Sequence, residues 1–279
     1  MKRFFSLMAL LLIVTCSAWA SNDGVVRILA VGNSFAEDAV EQNLHELAAA
    51  EGICTVIVNM YIGGCSLERH TNNVKTNRAD YAMRRIGEDG VKQTRKQVTL
   101  QEALESEEWD YVSVQQVSQL SGIYDSYAAF LPDLLAYLRA HLPATTKLVL
   151  HQTWAYAADS NHKGFANYNR DQEQMYRAIV KANRKVSRRF GLKPMIPSGT
   201  AVQNVRTSFV GDHVTRDGYH LDRVLGRYIA ACTWFERLFG RSVVGNPYAP
   251  EGLDPAQKQV AQEAAHAACR RPHRVTPMQ

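Results

Sequence analysis

The sequence predicts a three-layer α/β domain with a mostly parallel sheet, and three observations lead there. Short runs of apolar and β-branched residues alternate along the chain with longer segments of helical periodicity. No internal repeat, low-complexity stretch or linker divides the chain, and residues 21–279 are long enough to bury one large core. Polar, glycine-bearing segments follow the apolar runs, and in open α/β sheets the functional groups sit at the carboxyl ends of the strands.

Five strands are expected. Val25–Val31 is apolar apart from Arg27, Cys54–Met60 is a second run, and Trp109–Gln115, Lys147–Gln152 and Met195–Ile196 follow. Between them, Asp38–Glu51 carries Val40, Leu44, Leu47 and Ala48 at helical spacing and stops at Gly52. Leu100–Glu107 reads as a short helix, and Ser126–His141 as an amphipathic one closed by Pro143. Asn169–Phe190 is a long basic helix ended by Gly191. Asp222–Phe239 and the alanine-rich Pro255–Cys269 complete the set, and the tail from about residue 270 is expected to fray.

The N-terminus precedes this domain. Lys2 and Arg3, the apolar run Phe4–Val14 and Ala18-Trp19-Ala20 form a secretory leader over residues 1–20, too short for a stable membrane span. The expected location is periplasmic or extracellular. Cys16 offers a second reading, a lipoprotein acylated there, although Thr15 is bulkier than the residue such sites favour. Removing Lys2 and Arg3 lowers the formal net charge from +5 to +3, and no basic block has the aromatic interleaving that nucleic-acid binding uses. Cys54, Cys65, Cys232 and Cys269 remain, enough for two disulfides, but no Cys/His cluster has metal-ligand spacing. Neither a metal nor a cofactor is expected.

Chemistry concentrates in four segments. Gly32-Asn33-Ser34 stands where a strand gives way to a helix, a place where backbone N–H groups favour developing negative charge. Ser34 there is either a nucleophile or an ordinary helix cap. In Asn59–His70, Gly63-Gly64 offers a backbone N–H unshielded by a side chain, or simply a turn, and His70 is a candidate cleft residue. Tyr111–Gln116 ends in two glutamines, either of which has an NH₂ to donate to an oxyanion. In Thr215–Asp222, Asp217 and His220 are spaced for the carboxylate to orient the imidazole; Asp212 and His213 are spaced less suitably.

These residues resemble the SGNH, or GDSL-like, hydrolase superfamily. Gly32-Asn33-Ser34 matches its G-[DN]-S block, Gly64 lies five residues after Asn59 as in its second block, and Asp217 and His220 match its terminal D-x-x-H. The resemblance implies a flavodoxin-like α/β/α sandwich, with Ser34 as nucleophile, His220 as base and Asp217 as its partner. It makes the backbone N–H groups of Ser34 and Gly64 oxyanion donors. The third block departs from the pattern, presenting Gln115-Gln116 in place of the usual G-x-N-D asparagine. This is similar to an exported bacterial branch in which a glutamine ends that strand, so Gln115 is the candidate third donor and Gln116 the reserve.

For exported members the resemblance implies ester hydrolysis through an acyl-serine, most often at acetyl groups on carbohydrate. The expected partner is an acylated carbohydrate or another small ester. Trp154 and Tyr156, directly after the fourth strand, are candidate sugar-stacking residues, or else buried packing. Two readings compete with the esterase: acyl transfer to a polysaccharide through the same triad, and non-catalytic carbohydrate binding on a degenerate hydrolase fold.

Overall fold

The computed structural model describes residues 23–279; the leader and Cys16 lie outside the described residues. The strands are β1 (Val25–Gly32), β2 (Cys54–Tyr61), β3 (Tyr81–Ile86), β4 (Lys92–Val98), β5 (Tyr111–Val114), β6 (Lys147–His151) and β7 (Met195–Ile196). They form one sheet in the order β4-β3-β2-β1-β5-β6-β7. The five expected strands are its parallel part. The sheet has seven strands rather than five, because β3 and β4 form an antiparallel hairpin added beside β2. β4, with the sequence KQTRKQV, is exposed at every position but Val98, so it has no apolar alternation to read. Charged side chains along such an edge also discourage further strand pairing.

The helices are α1 (Ser34–Val40), α2 (Leu44–Ala49), α3 (Leu67–Lys75), α4 (Leu100–Leu104), α5 (Tyr124–Ala128), α6 (Leu131–His141), α7 (Gln172–Phe190), α8 (Ser198–Val205), α9 (Leu225–Phe239) and α10 (Pro255–Arg270). Alternation along β1 supplies both faces of the sheet. Val26, Ile28 and Ala30 join a core with α1, α2, α8, α9 and α10. Val25, Leu29 and Val31 join a second core with α3, α4 and α6. Period-2 side-chain direction thus produces the three layers.

Two expected helices are broken. Asp38–Glu51 divides into α1 and α2, with Asn43 at φ +67° between them, in the left-handed region that asparagine tolerates. Ser126–His141 divides into α5 and α6, because Pro132 lacks the N–H a helix interior requires and is accommodated in the first turn of α6. The tail does not fray. Thr276 N–H donates to Asn204 Oδ1 at 2.7 Å, Met278 N–H donates to Thr207 Oγ1 at 2.9 Å, and Val275 and Met278 pack on the core. The four cysteines are free thiols, three of them buried, so the two permitted disulfides are not formed.

One buried ionic cluster joins distant parts of the chain. Asp38 of α1 is fully buried, and its Oδ1 lies 3.0 Å from Arg216 Nη1 and 2.8 Å from Arg227 Nε. Its Oδ2 accepts from Leu221 N–H at 2.9 Å. Nearby, Glu37 and Glu41 hold Arg84 of β3 at 2.9 and 3.2 Å, so the edge hairpin is fastened to the same helix. Removing one member of a buried pair strands the other charge. Asp38→Ala is therefore expected to lower the unfolding free energy by about 3–5 kcal/mol in urea titration at neutral pH. A change under 1 kcal/mol would mean that the two arginines find other partners.

Candidate active site

The strand-to-helix turn after β1 is built by Gly32 and Asn33, the two motif residues before Ser34. Asn33, not Ser34, caps α1: its Oδ1 accepts from Phe35 N–H at 2.9 Å. Ser34 is the first helical residue, half-buried, with its hydroxyl free to face the loop from the other end of the chain. Gly32 permits the turn, since a Cβ there would meet Ala36 Cβ at 2.3 Å and Asn59 Oδ1 at 2.9 Å. Only glycine allows so close an approach of α1 to the sheet.

The second half is a closed loop. A bridge between Thr215 and Leu221 and an Arg216 N–H to His220 O bond of 2.9 Å shape residues 215–221. Gly218 at the tip has φ +85°, a conformation that favours glycine. Within the loop, His220 Nδ1 lies 2.7 Å from Asp217 Oδ2, and Asp217 Oδ1 accepts from the backbone N–H groups of His220 (2.7 Å) and Tyr219 (3.1 Å). His220 Nε2 lies 2.9 Å from Ser34 Oγ. The three expected residues thus form one hydrogen-bonded chain, 186 positions apart at the serine–histidine link. Burial pushes the Asp217 carboxyl up, but the hydrogen bonds it accepts from the His220 side chain and backbone outweigh that and hold it below its ordinary value. A carboxylate that stays ionised keeps the proton on Nδ1 and leaves Nε2 able to accept from the serine.

The glycine loop lies beside this pair. Asn33 Nδ2 donates to Cys65 O at 2.9 Å, which draws the segment after β2 against the nucleophile turn. Gly64 has φ +61° and is exposed, and among the described residues its N–H has no hydrogen-bond partner. Together with the first-turn N–H of Ser34, it is a donor able to receive negative charge.

The two glutamines have other work. Gln115 is buried; its Nε2 donates to Asn33 Oδ1 at 2.8 Å and its Oε1 lies 2.7 Å from His151 Nδ1. His151 Nε2 in turn meets Ser198 Oγ at 3.0 Å. Gln115 therefore stands behind the nucleophile turn and orients Asn33, a role different from the third oxyanion donor expected of it. Gln116 Oε1 accepts from Leu67 N–H at 2.9 Å, at the start of α3, and its Nε2 donates to Ser126 Oγ at 3.0 Å. It is a structural brace and not a substrate contact.

Three further candidates are corrected in the same way. Trp154 is fully buried, stacked on Phe35 at 4.4 Å between ring centroids, with Nε1–H donating to Tyr219 O at 2.8 Å. Tyr156 is fully buried with its hydroxyl 2.8 Å from Ser118 Oγ. Neither is open to a sugar ring; both lie beneath the 215–221 loop, and Trp154 holds it directly. His70 is fully buried in the opposite layer, 3.0 Å from the Tyr81 hydroxyl. Asp212 is 2.7 Å from Arg206 Nε and accepts from Ala158 N–H, so it braces a neighbouring loop. The aromatic rim of the site consists of Tyr219, with His220 at 4.2 Å and His162 at 4.8 Å between ring centroids. His162 carried no sequence signal, because a loop fold alone brings it there. No cluster of His, Cys, Asp or Glu able to hold a metal ion occurs among the described residues.

A family model described as DUF4886, a domain of unknown function, matches residues 27–268. The chain belongs to this family. A crystal structure of a DUF4886 protein from Bacteroides uniformis has 56% sequence identity and a TM-score of 0.90, over 91% of this chain and 98% of that one. The DUF4886 fold is similar to that of a putative SGNH hydrolase from Slackia heliotrinireducens, with 20% identity and a TM-score of 0.53 over 77% and 99% of the chains. It is also similar to Axe2, an acetylxylan esterase from Geobacillus stearothermophilus, with 11% identity and a TM-score of 0.50 over 76% and 94%. The fold is thus similar to those of a putative SGNH hydrolase and an acetylxylan esterase. No curated protein matches the chain.

Two predictions follow from the support around this DUF4886 site. Gln115→Ala leaves Asn33 and His151 each short of a partner, and is expected to lower stability by about 1–3 kcal/mol in urea titration. An unchanged stability would return Gln115 to the cleft. The second concerns pH. Burial lowers the pKa of both His151 and His70 to about 3, so the folded protein resists protonation that the unfolded chain accepts near pH 6.5. Stability should fall as pH drops from about 6.5 toward 3, by at most about 1.4 kcal/mol per unit per histidine. A His70→Asn variant, unable to titrate there, should show a shallower fall in its urea midpoint over this range.

Proposed function

We propose that this chain is an exported serine esterase that removes acyl groups, acetyl foremost, from carbohydrate. The observation that carries the reading is the continuous chain Ser34 Oγ–His220 Nε2–Asp217, with links of 2.9 and 2.7 Å, at the first turn of a helix. A serine so placed has a base for its proton and backbone dipoles for the charge its attack creates.

In the proposed reaction Ser34 Oγ attacks the acyl carbon while His220 Nε2 takes its proton, and Asp217 stabilises the resulting imidazolium. The N–H groups of Ser34 and Gly64 receive the oxyanion. The tetrahedral adduct collapses, its C–O bond breaks, and His220 protonates the departing sugar hydroxyl. Water, deprotonated by the same imidazole, then attacks the acyl-serine and releases the carboxylic acid. With Gln115 engaged behind the turn, the charge rests on two backbone donors, and no side-chain amide is required. The glutamine in place of the expected asparagine is therefore weak support for a catalytically dead scaffold.

The carbohydrate substrate draws support from two sources. One is the fold shared with an acetylxylan esterase; the other is the leader over residues 1–20, which suits an enzyme meeting polymeric glycans outside the cytoplasm. Purified protein is expected to hydrolyse p-nitrophenyl acetate faster than longer-chain esters and to be labelled by a fluorophosphonate at Ser34. Ser34→Ala should reduce kcat/KM by about 10⁴-fold or more. Equal hydrolysis by Ser34→Ala would sink the proposal. Transfer of acetyl to added glycan in preference to water would identify an acyltransferase instead.

A further inference from the structure

At the other end of the sheet, where β5, β6 and β7 begin, lies a second feature with no part in the triad. Strands of this length place it on the order of 20 Å from Ser34. Three concavities of about 780, 520 and 550 Å³ adjoin there. The first two share Arg184, Arg188 and His273, and the second and third share Lys147 and Lys193, so they form one groove that runs along most of α7 and past its carboxyl end. No acidic side chain lines any part of it.

The groove cations Lys181, Arg184, Arg188 and Lys193 are solvent-exposed. Elsewhere the protein's buried or half-buried arginines are matched by carboxylates: Arg84 by Glu37 and Glu41, Arg216 and Arg227 by Asp38. In the groove, Lys181, Arg184, Arg188 and Lys193 have no ion-pair partner among the described residues. Lys181 and Lys185, and likewise Arg184 and Arg188, stand four positions apart on α7, a spacing at which like charges repel. Arg237 adds a further cation, held in place by Met195 O at 3.0 Å. Burial lowers the pKa of His273, and the neighbouring Arg184, Arg188 and Arg237 push it lower.

We propose that this groove binds a linear anionic polysaccharide, its carboxylate or sulfate groups paired with Arg184, Arg188 and Lys193. The shape favours a chain over a membrane surface. The cations follow one another for about 18 Å along α7 between Arg177 and Arg189, a linear array that matches charges repeated along a chain. Val180 adds a partly exposed apolar patch beside the charges. Planar guanidinium groups match carboxylate and sulfate oxygens with paired N–H donors. The groove is independent of the esterase proposal; where both hold, it anchors the enzyme to an acidic polymer while the triad works at another point.

The test is binding, followed by affinity electrophoresis and calorimetry at low salt. Polygalacturonate supplies carboxylates, heparin sulfates, neutral xylan the uncharged control and phosphatidylglycerol vesicles the membrane alternative. The expected result is binding of at least one of the two polyanions, weakened by added salt, with none to xylan. The double variant Arg184→Glu/Arg188→Glu should bind about tenfold or more weakly. Its thermal midpoint and any p-nitrophenyl acetate hydrolysis should stay at the level of the unaltered protein, which separates loss of the groove from loss of the fold or the triad. The proposal is overturned if neither polyanion binds, if the double variant binds as well as the parent, or if only the vesicles are bound.

Discussion

The buried carboxylate of Asp38 is the constraint on which the site depends. Ser34 and His220 belong to segments with no sequence proximity, and a hydrogen bond between two side chains does not by itself hold two segments in register. Asp38 does so with four contacts, to two guanidiniums and to the backbone N–H of Leu221, the residue after His220. Arg216 also donates to Leu221 O, so the loop is closed on the same side chain that pins it. A charge taken out of water is tolerated only when so fully paired, which makes the arrangement rigid as well as specific. Because Asp38 lies one helical turn after Ser34, fixing the loop to it fixes the imidazole to the hydroxyl.

Behind the nucleophile runs a second buried series, Ser198–His151–Gln115–Asn33, each member 2.7–3.0 Å from the next. Its residues come from α8, β6, the end of β5 and the turn after β1, and so it crosses the sheet at the carboxyl ends of its central strands. Networks of this kind specify a single geometry when every donor and acceptor is used, since a low dielectric makes an unpaired group costly. Neutral His151 suits that place: one nitrogen donates to Gln115 and the other accepts from Ser198. The polar interior thus serves the chemistry from behind, while the carboxylate-free basic groove occupies the opposite end of the sheet.

The fold was largely legible because its central strands are buried on both faces and read as continuous apolar runs. The edge hairpin was not, because β4 buries only Val98 and its pairing depends on β3 and on Glu41, the C-cap of α1, which meets Lys92 at 3.2 Å. The broken helices at Asn43 and Pro132 carried local signals, a residue that accepts positive φ and a residue without an N–H. That Ser34, Asp217 and His220 would meet was legible because few residue types can form such a hydrogen-bonded chain. Gln115, Gln116, Trp154, Tyr156 and His70 were recognised as polar or aromatic groups near strand ends or in a glycine loop, yet nothing local decided between cleft and core for them, buried packing being one of the two readings of Trp154 and Tyr156.

By itself the sequence determined the layered α/β class, the parallel strands and which serine, histidine and aspartate to look for together, since these follow from periodicity and from side-chain chemistry. Only the tertiary structure decided which polar groups face the cleft and which stand behind it. That choice depends on hydrogen-bond partners supplied from far along the chain, as when Asn33 Oδ1 receives the Gln115 amide across 82 positions. A glutamine at the end of a strand has the same donors in either place; the neighbour it meets on folding sets its role.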